Sequence, residues 1–152
     1  MDKLNEVLKQ QHWAIRSHCD ILMKFCVNGV DTKGGEIEQF WEDKTKFALH
    51  LNNFKKILIP HLALEDAELY PLLIKAKDKK IREASDKYSD EMELISKRTL
   101  SFFETYTHLK IDHFLHNELF KLDLNTVITI IRKRIDLEEI ELYPLYILSK
   151  KS

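Results

Sequence analysis

His61 and Glu65 stand in the stretch HLALEDAELYP (residues 61–71), and a second stretch, RIDLEEIELYP (residues 134–144), copies it. Leu64, Glu65, Glu68, Leu69, Tyr70 and Pro71 recur as Leu137, Glu138, Glu141, Leu142, Tyr143 and Pro144, but the copy opens on Arg134 where the first opens on His61. An imidazole and a carboxylate four residues apart lie on adjacent turns of one helix face, where both can grip the same cation. Arginine keeps its proton in proteins and is no ordinary metal ligand, so the two copies cannot do the same chemistry.

The elements that carry these residues read as helices throughout. Apolar residues recur at helical spacing over about residues 3–27, 37–77, 79–106 and 122–149, and no alternating strand pattern competes. The segment 28–35 holds all three glycines and reads as a turn, and 107–118 reads as an irregular connection or short helix. Position 134 lies 73 after position 61, and the same interval matches Leu51, Asn52 and Ile57 with Leu124, Asn125 and Ile130. Two tandem helical hairpins therefore predict an all-α fold, an antiparallel up-down-up-down four-helix bundle spanning residues 1–152 as one domain. Pro60, Pro71 and Pro144 fall inside helical patterns, which predicts a bend near each motif.

The repeat interval also pairs residues of the first and third helices. It carries His18 onto Glu91, where the local texts SHCDILMK and DEMELISK agree, and His12 onto Ser85, where they agree poorly. His18 shares a stripe with Ile15, Leu22 and Phe25, whereas His12 also faces the apolar side between Leu8 and Ile15. With His18 preferred, six polar groups point at one axis: His18, His61, Glu65, Glu91, Arg134 and Glu138. Burying that many ionisable groups is costly without compensation, and a metal ion is the natural compensator in a bundle core.

The chain resembles the hemerythrin-like (HHE cation-binding) family through its inward histidine on the first helix, its His61, Glu65, Asp66, Leu69, Tyr70 and Pro71, and the second half that repeats this plan. The resemblance implies a four-helix bundle around a non-haem di-iron centre. It also implies a role with O2, NO or peroxide, as carrier, sensor or in iron handling. His18, His61 and Glu65 are then iron ligands and Glu138 a bridging carboxylate. Glu91 and Arg134 stand where the family has histidines. Three outcomes follow: Glu91 pairs with Arg134 and one ion remains; Glu91 is an oxygen ligand of a carboxylate-rich site that admits manganese beside iron and favours oxidase or peroxidase chemistry, with Arg134 behind it; or the core is metal-free; three carboxylates against one arginine favour Glu91 as a ligand.

The remaining features narrow the class. Lys and Arg number 24 against 25 Asp and Glu, so charge gives no reason to expect nucleic acid or an anionic membrane. No apolar run reaches the length of a membrane span, the first residues lack a signal-peptide core, and a cytoplasmic location is the expectation. Cys19 and Cys26, about 10 Å apart on one helix, are too distant to bond and read as small buried groups. His50 reads as peripheral or hydrogen-bonded, His108, His113 and His116 as a surface cluster, and Trp13, Trp41 and Phe114 as packing or hairpin-end residues. Tyr70 and Tyr143 are read first as packing beside the bends.

Overall fold

The structure, a computed structural model, describes residues 2–30, 36–107 and 117–151, with the side chains of 25–30, 36–45 and 107 left aside. Most of the 28–35 turn, the 108–116 connection with its three histidines and Phe114, and the side chains of Cys26 and Trp41 lie outside the described residues. Among the described residues, six α helices and two π turns make four rods. The first is α1 (Lys3–Val30). The second runs from α2 (Glu36–Leu64) through a π turn (Glu65–Leu69) into α3 (Tyr70–Ile74). The third is α4 (Lys79–Thr107). The fourth runs from α5 (Glu118–Leu137) through a second π turn (Glu138–Leu142) into α6 (Tyr143–Lys151). The result is an all-α four-helix bundle, with no strand among the described residues.

Each rod turns one apolar stripe inward. Leu8, Ile15, Cys19 and Leu22 come from α1, Leu51, Phe54 and Leu58 from α2, and Leu124, Ile128, Ile131 and Ile135 from α5. The stripe of α4 includes Ile81, Met92, Phe102 and Phe103. Toward the end of the bundle where α4 finishes and α5 begins, Phe102, Phe103, Tyr106 and Phe120 form an edge-to-face aromatic group with Phe47 and Phe54. The polar centre lies further along the bundle, level with the two π turns.

The π turns are the local form that the predicted bends take. The Tyr70 N–H bonds to the Glu65 carbonyl, five residues back, and the Tyr143 N–H bonds in the same way to that of Glu138. A π turn fits one more residue into the helix than an α turn does, and it occurs beside prolines and at functional sites. Here each begins on the motif glutamate and ends one residue before the motif tyrosine. Glu65 and Leu69, and likewise Glu138 and Leu142, are thereby both turned inward.

Candidate metal centre

Four side chains from three rods converge in the core: His12 from α1, His61 from the end of α2, and Glu65 and Glu138 from the first residue of each π turn. All four are buried, and one ligand atom from each lies within 4.8 Å of the others. The His12 and His61 Nε2 atoms are 3.1 Å apart. Glu138 Oε1 lies 3.0 Å from His12 Nε2 and 3.9 Å from His61 Nε2, and Glu65 Oε1 lies 3.2 Å from His61 Nε2. Donors that share one ion at bonds of about 2.1 Å stand roughly 3 to 4 Å apart, which is the spread seen across these pairs.

The far side of each imidazole fixes its tautomer. His61 Nδ1 is 2.7 Å from the Gln11 side-chain oxygen, and His12 Nδ1 is 2.9 Å from Glu139 Oε2. Both partners are acceptors, so each Nδ1 carries the proton and donates it. The two Nε2 lone pairs then face each other across 3.1 Å, a contact that is repulsive unless a cation sits between them. Glu65 Oε1 is buried and has no hydrogen-bond partner among the described residues, as expected of an oxygen reserved for such a cation. The residues present therefore fit a metal ion.

In the metal-free chain a proton takes that place. Burial works against a charged His61, but the nearby carboxylates of Glu138 and Glu65 outweigh it and lift the imidazole to about 9. Burial and the neighbouring Glu138 charge raise Glu65 to about 8. Burial also opposes ionisation of Glu138, but the neighbouring imidazoles of His12 and His61 hold it well below the usual carboxylate range. The Tyr143 hydroxyl completes the cluster, 2.8 Å from His12 Nε2, 3.1 Å from Glu65 Oε2 and 3.5 Å from Glu138 Oε1. Burial and then the Glu65 and Glu138 charges keep this phenol protonated.

Arg134 sits on the other side of Glu138. Its Nε donates to Glu138 Oε2 (3.3 Å), and its Nη2 donates to the Tyr70 hydroxyl (2.5 Å) and the Tyr88 backbone carbonyl (2.9 Å). Glu138 thus spans the centre, one oxygen toward the imidazoles and the other on a guanidinium.

The structure brings His61, Glu65 and Glu138 together with Arg134 beside them. It corrects the first-helix candidate: His12 enters the cluster and His18 does not. His18 is half-buried and pairs instead with His50, their ring centroids 6.1 Å apart. The reason is helical phase. Leu8, His12, Ile15, Cys19 and Leu22 form one fully buried stripe, and His18 falls one position off it. Glu91 is displaced likewise. Its side chain is 46% exposed and faces Arg134 Nη1 at 3.7 Å, away from the four converging donors. The residue that the repeat pairs with His12 is Ser85, fully buried on α4 as His12 is on α1. Agreement of burial along the repeat, Leu8 with Ile81, His12 with Ser85 and Cys19 with Met92, was the signal that local text similarity hid. Gln11 and Glu139 have no signal in the sequence, because residues that orient ligands carry no spacing rule of their own, while Tyr143, placed beside the bend by its motif, hydrogen-bonds within the cluster.

A family model, the hemerythrin HHE cation-binding domain, matches residues 3–146. The chain belongs to the hemerythrin HHE cation-binding family. No curated protein and no solved structure matches it. Family membership and the converging His and Glu donors together make this a metal-binding helical protein.

Proposed function

We propose that residues 1–152 act as one cytoplasmic domain that holds a single non-haem iron ion on His12, His61, Glu65 and Glu138, and that O2, NO or peroxide meets that ion. The observation that carries this reading is the pair of Nε2 atoms 3.1 Å apart, each ring already committed through Nδ1 to an acceptor. Two imidazoles with two carboxylates suit divalent iron and admit manganese. When bound, the ion supplies a Lewis-acidic, redox-active centre. The chain's own groups orient the rings, keep water from the core and place the Tyr143 hydroxyl beside the donors.

The contact of Glu91 with Arg134 supports one ion over two, because the second position then has a guanidinium and a serine where nitrogen donors are expected. It equally removes the third carboxylate on which a carboxylate-rich oxidase or peroxidase site would depend. No helix among the described residues is long and apolar enough to cross a membrane. Cys19 is buried, and burial pushes its thiol up to about 12, which marks it as a packing group.

Elemental analysis of gently purified protein tests the reading. One ion per chain is expected in the wild type and in His18→Ala, and near zero in His12→Ala. Equal loss in the two variants, or a metal-free wild type that takes up no added ferrous ion, overturns it.

A further inference from the structure

The Tyr143 hydroxyl stands among the candidate donors, not merely near them. It lies 2.8 Å from His12 Nε2, 3.1 Å from Glu65 Oε2 and 3.5 Å from Glu138 Oε1, on a side chain 1% exposed. A phenol has one proton to give. His12 Nδ1 already donates to Glu139, so His12 Nε2 is an acceptor, and the two carboxylate oxygens are acceptors once a metal displaces the protons of the centre. One proton cannot serve three acceptors, and the contacts left over set lone pair against lone pair. A cation reached by the phenol oxygen removes that conflict, as it does for the two imidazole nitrogens.

The internal repeat supplies a second, independent observation. The 73-residue interval carries Tyr70 onto Tyr143 and His61 onto Arg134. The two motif tyrosines cross between the halves. Tyr70 turns its oxygen to Arg134, whose Nη2 donates to it at 2.5 Å, while Tyr143 turns its oxygen to the donors on His12 and Glu65. One tyrosine oxygen therefore faces a fixed cation, and its copy faces the position that the converging donors reserve for a metal ion. The other three tyrosines are engaged elsewhere, Tyr88 with Glu141, Tyr106 with Asp123 and Tyr146 with Asp2.

Charge decides which ion the phenol oxygen suits. Arg134 and its neighbour Glu91 cancel. Glu65 and Glu138 neutralise a divalent ion, so an added phenolate leaves a surplus negative charge on ferrous iron and none on ferric iron. A buried centre favours the neutral sum, and a hard oxygen donor favours the higher-valent ion.

We infer that Tyr143 is a fifth ligand of the ferric ion, binding through its phenolate oxygen beside His12, His61, Glu65 and Glu138. The inference rests on the single-metal reading above. As the iron–oxygen bond forms, the phenol O–H bond breaks and its proton leaves to solvent; no electron moves in that step. With ferrous iron the phenol keeps its proton and donates it to Glu65 Oε2.

Protein loaded with ferrous ion, oxidised with hexachloroiridate and desalted tests the ligand, with visible absorption, resonance Raman spectra and iron content read on the same samples. The wild type should show an intense phenolate-to-iron charge-transfer band, with tyrosinate vibrations enhanced on excitation into it. Tyr143→Phe should lose the band while keeping one iron per chain, and Tyr70→Phe should keep both. Should Tyr143→Phe not fold, as judged by thermal unfolding, the wild type and Tyr70→Phe carry the decision, since no other tyrosine reaches the donors. Ferric wild type with one iron and no such band, or a band that survives in Tyr143→Phe or vanishes in Tyr70→Phe, overturns the ligand while the metal site stands. Failure of the wild type to take up iron overturns both.

Discussion

Gln11 and Glu139 show how much of a metal centre lies outside its ligands. Each touches one imidazole, on the nitrogen that faces away from the ion's position, and so decides which nitrogen is offered to it. Gln11→Leu should leave His61 free to swap tautomers and lower metal affinity roughly 10- to 100-fold, measured by competition with a chromophoric chelator, with little change in helix content. Protonation provides a second residue-scale expectation. His61 rises from 6.5 to about 9 on folding, so its contribution to stability is full below pH 6.5 and is lost as pH climbs through about 9. Glu65 rises from 4.5 to about 8, and its folded state also holds a proton that the unfolded chain has released, which gives the same sign. The Glu138 contribution runs the other way: it is present above 4.5 and is lost only in strong acid. The metal-free chain should therefore lose thermal stability between about pH 4.5, where Glu65 begins to contribute less, and about pH 9, where His61 has lost its share. Metal binding, which displaces these protons, should tighten over the same range by about tenfold per pH unit for each proton released. Melting curves with and without metal across that range check both; a metal-free midpoint that rises with pH contradicts the assignment.

At the scale of the element, the π turns set where the carboxylates point. Each begins on the motif glutamate and ends just before the tyrosine that follows, so the Tyr143 hydroxyl comes within 3.5 Å of Glu138 Oε1. Ala67 is an exposed member of the first π turn. Deleting it removes the extra residue and returns the rod to α geometry, which keeps the phase of the rod beyond but re-aims Glu65 relative to Leu69 within the turn. The expected outcome is a chain that remains helical by circular dichroism but loses stoichiometric metal. Four rods and their pairing were legible in the sequence because apolar spacing and the copied motif are long-range signals with redundancy. Both prolines of the motif marked an irregularity, but proline says only that one hydrogen bond is missing, and the choice of a π turn over a simple kink depends on burial of Glu65 and Leu69 together. The preference for His18 over His12 had a similar origin. Charged and polar residues on a solvated helix face resemble one another freely, so the textual match of residues 17–24 with 90–97 carried less information than the phase of Leu8, Ile15, Cys19 and Leu22. Glu91, expected among the ligands or against Arg134, lies against Arg134 because its position on α4 is half exposed.

Across the whole molecule, the bundle is a duplicated frame around an unduplicated centre. The repeat that superimposes the rods puts His12 and His61 against Ser85 and Arg134, so the two halves share a scaffold while one half keeps the nitrogen donors. Ser85→His combined with Arg134→His should restore the missing pair and raise bound metal from one ion per chain to two by elemental analysis; a count still at one would mean that the space beyond Glu138 has closed. Metal should also stabilise the entire fold, since the donors come from three of the four rods. Free metal at one hundred times its dissociation constant adds about 2.7 kcal/mol to unfolding, visible as a rise in melting temperature that chelator reverses. The guanidinium that occupies the second position has a further, electronic consequence. Two neighbouring ions can each change valence and so exchange a pair of electrons with whatever lies between them. Arg134 supplies a fixed positive charge and no oxidation states at all, so a lone redox-active ion held by His12, His61, Glu65 and Glu138 would exchange electrons singly, and a partner able to accept only a pair would need a second encounter.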